Sequence, residues 1–121
     1  MRKKIFIGLS VLFLIVCVLI FRPVPIIYEE DALEVSGIVE KIKLTEGNDF
    51  IFLLQDNPTR YYINRGIEAG LNYQDFESKV LNQRIVVKYP EYWTPLDWNN
   101  SVRHISKVEL NGETLFNEFK K

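Results

Sequence analysis

Asp97, His104 and either Ser101 or Ser106 place the three residue types of a serine-hydrolase triad close together in the chain. In such a site a histidine withdraws the hydroxyl proton while a carboxylate orients the ring. Neither serine lies in a GxSxG turn, and no loop suited to an oxyanion hole accompanies them. If residues 102–110 form one strand, His104 and Ser106 face the same way about 7 Å apart, too far for a direct hydrogen bond. A small hydrolase using Asp97 and His104 is therefore the alternative reading. His104, beside Arg103, reads first as an ordinary sheet residue.

Metal and phosphate chemistry have less to draw on. A structural zinc site takes three or four Cys, His or acidic ligands, whereas this chain has one histidine, and its one cysteine, Cys17, lies inside an apolar run. Glu46 and Asp49 in TEGND lack the twelve-residue spacing of an EF-hand, and Gly66 to Gly70 lack the GK[ST] of a phosphate loop. Both stretches read as turns. No cofactor and no metal are expected, and the protein reads as a non-enzyme.

The elements that would position these residues hang from an N-terminal apolar run. Ile5 to Phe21 extends for seventeen residues without a charge after MRKK, a reach of about 25 Å as a helix against a hydrocarbon core of about 30 Å. A cleaved signal peptide is the competitor, but the run is long for one and no small-x-small site follows. Three basic residues precede the run and one, Arg22, follows it, so the positive-inside rule puts the N-terminus in the cytoplasm. The expected organisation is a cytoplasmic basic N-terminus (1–4), a transmembrane signal-anchor helix (5–21), an extended linker (22–32) and an extracytoplasmic β domain (33–121), periplasmic or extracellular. The linker's EED run reads as hydrated surface.

Twelve of the fifteen basic residues but all sixteen acids follow the apolar run, leaving residues 22–121 at about −4. That charge argues against a nucleic-acid partner. The exported part holds no cysteine, so its fold must rest on an apolar core without disulfides.

Period-2 patterning predicts strands over 33–44, 50–56, 60–64, 84–90 and 102–110, with a bend or bulge at Gly37. Asn111-Gly112 signals a tight hairpin into a sixth element, 113–119. Between the third and fourth strands, 72–82 reads as a helix capped by Asn72, with Tyr73, Phe76 and Val80 on one face. The fold class is mainly β with a minor α component. The element order resembles the OB-fold, a small Greek-key barrel of five to six strands with its helix between strands 3 and 4. An SH3-like barrel or an open meander with one helix is the alternative.

The OB resemblance implies that ligands meet strands 2 and 3 and the loops after strands 1 and 4. On those elements Tyr61, Tyr62, Arg65, Tyr92, Trp93, Trp98 and His104 are the candidate binding residues, half of the aromatics turning inward by alternation. Flat rings beside polar groups suit a peptide or sugar. Thr94-Pro95-Leu96-Asp97 reads as a capping box, so one short helical turn is expected there, with Trp93 and Trp98 forming a rigid aromatic cap over the barrel end. The expected function is a membrane-anchored extracytoplasmic module that binds another envelope protein or peptide. An inhibitor or immunity-type protein is a further alternative.

Overall fold

The twelve-residue strand β1 (Leu33–Leu44) organises the fold because it serves two antiparallel partners in succession. Its first half pairs with β4 (Arg84–Tyr89), from Leu33 opposite Tyr89 to Ile38 opposite Arg84; its second half pairs with β2 (Phe50–Leu54), ending with Leu44 opposite Phe50. The computed structural model describes residues 2–120; Met1 and Lys121, the outer ends of the expected basic N-terminus and β domain, lie outside them. The bulge falls between Val39 and Lys41, not at Gly37. Gly37 instead makes room: a Cβ there would come within 3.2 Å of the buried Leu54 side chain, so its absence lets Leu54 cross the strand.

β3 (Arg60–Ile63) continues antiparallel from β2, and β5 (Val102–His104) lies parallel to β3. On the other side of β1, β4 pairs with β6 (Lys107–Leu110), and β6 with β7 (Glu113–Asn117). Asn111 (φ 51°) and Gly112 (φ 82°) are both left-handed, as a two-residue hairpin turn requires. The result is a seven-stranded mixed sheet in the order β5-β3-β2-β1-β4-β6-β7.

These pairings correct two expectations. The sheet is not closed into a five- or six-stranded barrel, and residues 102–110 are two strands instead of one. Ile105 N–H donates to Tyr62 O at 2.7 Å, while the next amide, Ser106 N–H, donates to Lys88 O at 2.8 Å. The chain thus leaves the β3 ladder and joins β4 between adjacent residues. Both Ile105 and Ser106 are buried, which a regular strand with alternating faces does not allow.

Helix α2 (Tyr73–Val80) does lie between the third and fourth strands, and Asn72 caps it by accepting from Asp75 N–H at 3.0 Å. It buries Phe76 and Val80; the Phe76 ring meets Phe50 and Phe52 edge-on at centroid distances of 5.7 and 5.6 Å. Each fully buried Phe contributes about 2–3 kcal/mol by transfer. Tyr73 donates its hydroxyl to Ile42 O at 2.9 Å, pinning the helix to β1.

The N-terminal helix α1 (Arg2–Phe21) buries none of its residues and is long and apolar enough to cross a membrane. The segment after it is fastened to the domain at several points. Lys120 N–H donates to Ile27 O at 3.0 Å, and Glu29, in a 3-10 turn (Glu29–Asp31), accepts from both Lys88 and Lys107 at 2.7 Å. Glu29 of the EED run is thus an ion-pair partner instead of bare hydrated surface. The two ammonium groups hold its carboxyl below the usual value, Lys107 first and then Lys88.

Candidate functional site

Alternation along β3 decides which aromatics reach the surface. Tyr61 and Ile63 turn inward, and Tyr61 lies buried 5.8 Å from the Tyr89 ring with its hydroxyl accepting from Asn57 Nδ2 at 3.1 Å. Tyr62 turns outward and stands half-buried, its ring edge-on to His104 at 5.4 Å. Burial, reinforced by the carboxylate of Asp49, pushes its phenol above the ordinary value.

Tyr62 and Val102 form the wall shared by two depressions. One, about 400 Å³, is open and crosses β2, β3 and β5: Ile51, Tyr62 and Val102 provide its apolar surface, and Asp49, Arg60 and Asn64 its polar rim. The second, about 90 Å³, is tighter and lies under the 91–101 loop, lined by Tyr62, Tyr92, Asp97, Arg103 and His104 among others. Arg103, in the lining of the second, donates to Tyr92 O at 3.3 Å with its guanidinium 5.4 Å from the Tyr89 ring centre.

The loop differs from its sequence reading. No capping box forms; two successive turns do, closed by Asp97 N–H to Thr94 O at 3.0 Å and Asn100 N–H to Asp97 O at 3.1 Å. Asn100 is left-handed (φ 54°), which brings the chain back across Asp97. The carboxylate therefore looks forward, accepting from Ser101 N–H at 2.9 Å, Ser101 Oγ at 2.7 Å and Val102 N–H at 2.8 Å. Burial alone would raise its pKa; these hydrogen bonds, helped by Arg103, hold it below the ordinary value.

The tryptophans do not plug the fold. Trp98 is 73% exposed, as is Leu96, while Trp93 is half-buried. The two indoles meet edge-on at 5.1 Å, and Trp93 Nε1–H donates to Trp98 O at 3.1 Å. Pro90, buried at the end of β4, sends the chain outward before this pair can reach the core.

Of the candidate residues, Tyr62, Tyr92 and His104 come together. Trp93 and Trp98 form a separate pair on the loop, and Tyr61 belongs to the core. Arg65 sits apart, exposed and left-handed (φ 49°), its N–H donating to Asp49 Oδ1 at 2.8 Å. Sequence reasoning missed Glu118, whose carboxylate pairs with His104 Nε2 and lies 3.4 Å from Ser106 Oγ. Only the backbone pairing of Glu118 N–H with Ser106 O brings it there, and no local pattern announces that contact.

This arrangement bears directly on hydrolase chemistry. In a triad the histidine stands between hydroxyl and acid; here the acid stands between Ser106 and His104, and the Asp97 carboxylate is occupied by Ser101 and Val102. Among the described residues no three His, Cys, Asp or Glu side chains gather as a metal-ligand set. No protein-family model matches the chain, and no curated protein matches it.

Proposed function

We propose that this chain is a membrane-anchored binding module that takes an extended peptide segment of another envelope protein across the Tyr62 face. Supporting the anchor are the length and apolarity of α1. The excess of basic residues at its N-terminal flank supports a cytoplasmic start and an extracytoplasmic domain. The surface includes β2 and β3, the strands to which the OB resemblance assigns ligands, and a net charge near −4 beyond the helix disfavours nucleic acid there.

The observation that carries the reading is Tyr62, with Val102, as common wall of two adjoining depressions that each set apolar surface beside polar groups. A peptide needs both, apolar contact for its side chains and paired donors and acceptors for its backbone. Arg60 and Asp49 on opposite parts of the rim offer a charge of each sign.

A photo-crosslinking residue in place of Tyr62, in the full-length chain in its native membranes, should trap one partner that the same group at Ser78 on α2 does not. Introducing Val102→Asp into the crosslinker-bearing chain should abolish that product. Equal trapping at both positions, or an unchanged product with Val102→Asp in a folded protein, would sink the proposal.

A further inference from the structure

The 91–101 loop carries a feature that the Tyr62 face does not use. Leu96 and Trp98 are each 73% exposed, and their loop is tied to the residue that follows α1. Arg22 Nη2 donates to Trp93 O at 2.6 Å, Tyr92 Oη donates back to Arg22 O at 2.6 Å, and the guanidinium lies 4.8 Å from the Tyr92 ring centre. With Ile27 bound to Lys120 and Glu29 to Lys88 and Lys107, the connection between helix and domain is clasped along its length.

We propose that Leu96 and Trp98, braced by Trp93, lie in the headgroup layer of the bilayer that α1 crosses, so that the domain rests on the membrane surface. The inference depends on α1 being a transmembrane anchor. Its uncharged core, about 25 Å long, is shorter than a hydrocarbon layer of about 30 Å, so Arg22 and whatever is bound to it are drawn down to the interface. Indole rings favour that depth, where the ring is desolvated and its N–H still finds a partner. The loop's charges are compatible: Asp97 is turned inward onto Ser101 and Val102, and Arg22 places a cation at phosphate level. Glu91 is the one exposed acid of the stretch.

Trp93 and Trp98 are the chain's two tryptophans, so its indole emission reports this loop alone. The full-length protein reconstituted one copy per phospholipid nanodisc should show blue-shifted emission, strong quenching by lipids brominated near the headgroup, and weak quenching by aqueous acrylamide. Leu96→Asn together with Trp98→Gln should redden the remaining Trp93 emission and cut its lipid quenching severalfold, with the circular dichroism of the domain unchanged. Emission that acrylamide quenches freely and bromolipids do not, in protein that still resists carbonate extraction from vesicles, would overturn the proposal and leave the anchor standing. Protein released by carbonate would overturn the anchor itself, and the proposal with it.

Discussion

The guanidinium of Arg22 donates to the carbonyl of Trp93 at 2.6 Å, joining residues seventy-one positions apart. With Tyr92 Oη returning a bond to Arg22 O, the contact works as a two-point clasp between the end of α1 and the loop that leads to β5. The pair is exposed, so each bond should contribute only about 0.5–1.5 kcal/mol net. Arg22→Gln combined with Tyr92→Phe is therefore expected to leave global unfolding nearly unchanged but to free the loop. Hydrogen exchange should accelerate across residues 91–101 while amides of β1 and β2 stay protected. Uniform acceleration, or none, would argue against the clasp.

Glu29 should give the stability curve a shape with two edges. Its folded carboxyl is held below the ordinary 4.5, so its contribution is complete above that value and is lost as the pH falls through the lowered one. Lys88 and Lys107, each raised above 10.5 chiefly by Glu29, contribute fully below 10.5 and lose that contribution as the pH rises through their folded values. The difference in melting temperature between wild type and Glu29→Gln should hence be a plateau from about pH 5 to 10 that closes at both ends. A gap independent of pH would show that the Gln variant is destabilised by packing and not by charge.

Gly66 lies against the core. A Cβ at this position would come within 2.9 Å of the Phe50 ring, which has no solvent exposure and is boxed in by Tyr73 at 5.3 Å and Phe76 at 5.7 Å. Gly66→Ala should consequently cost about 1–3 kcal/mol through overpacking, read from urea unfolding followed by circular dichroism. Gly47→Ala, where the nearest atom is Thr45 Oγ1 at 3.9 Å, should cost far less. Comparable losses at the two glycines would contradict the steric account.

What the residues announced in advance follows from the range over which their signals act. β1, the Asn72 cap, the α2 face and the Asn111-Gly112 turn are set by period, capping and left-handed backbone preference within a few residues, and all were legible. The break at Ile105-Ser106 was not, because it arises where one strand must satisfy Tyr62 on one side and Lys88 on the other. The same limit applies at the site. Alternation could say that half the aromatics point outward, but exposure of Trp98 depends on Asn100 turning the chain back onto Asp97, and Glu118 reaches His104 only through the path of the C-terminal segment.

The Ser106–Glu118–His104 set offers the sharpest test between structural and catalytic use. Ser106 is buried and His104 nearly so, and Glu118 receives both. Removing the acid in Glu118→Ala should leave two buried polar groups without their acceptor and cost about 1–3 kcal/mol. Adding Ser106→Ala should then cost less than it does in the wild type, because its partner is already gone, so that the double variant loses less stability than the two single losses combined. A nucleophilic serine would behave otherwise: a fluorophosphonate probe would label Ser101 or Ser106, and His104→Ala would abolish the label. Neither serine hydroxyl meets the imidazole: Ser106 donates to Glu118 and Ser101 to Asp97, carboxylates that are far weaker bases than a triad histidine, so no labelling of either serine is expected.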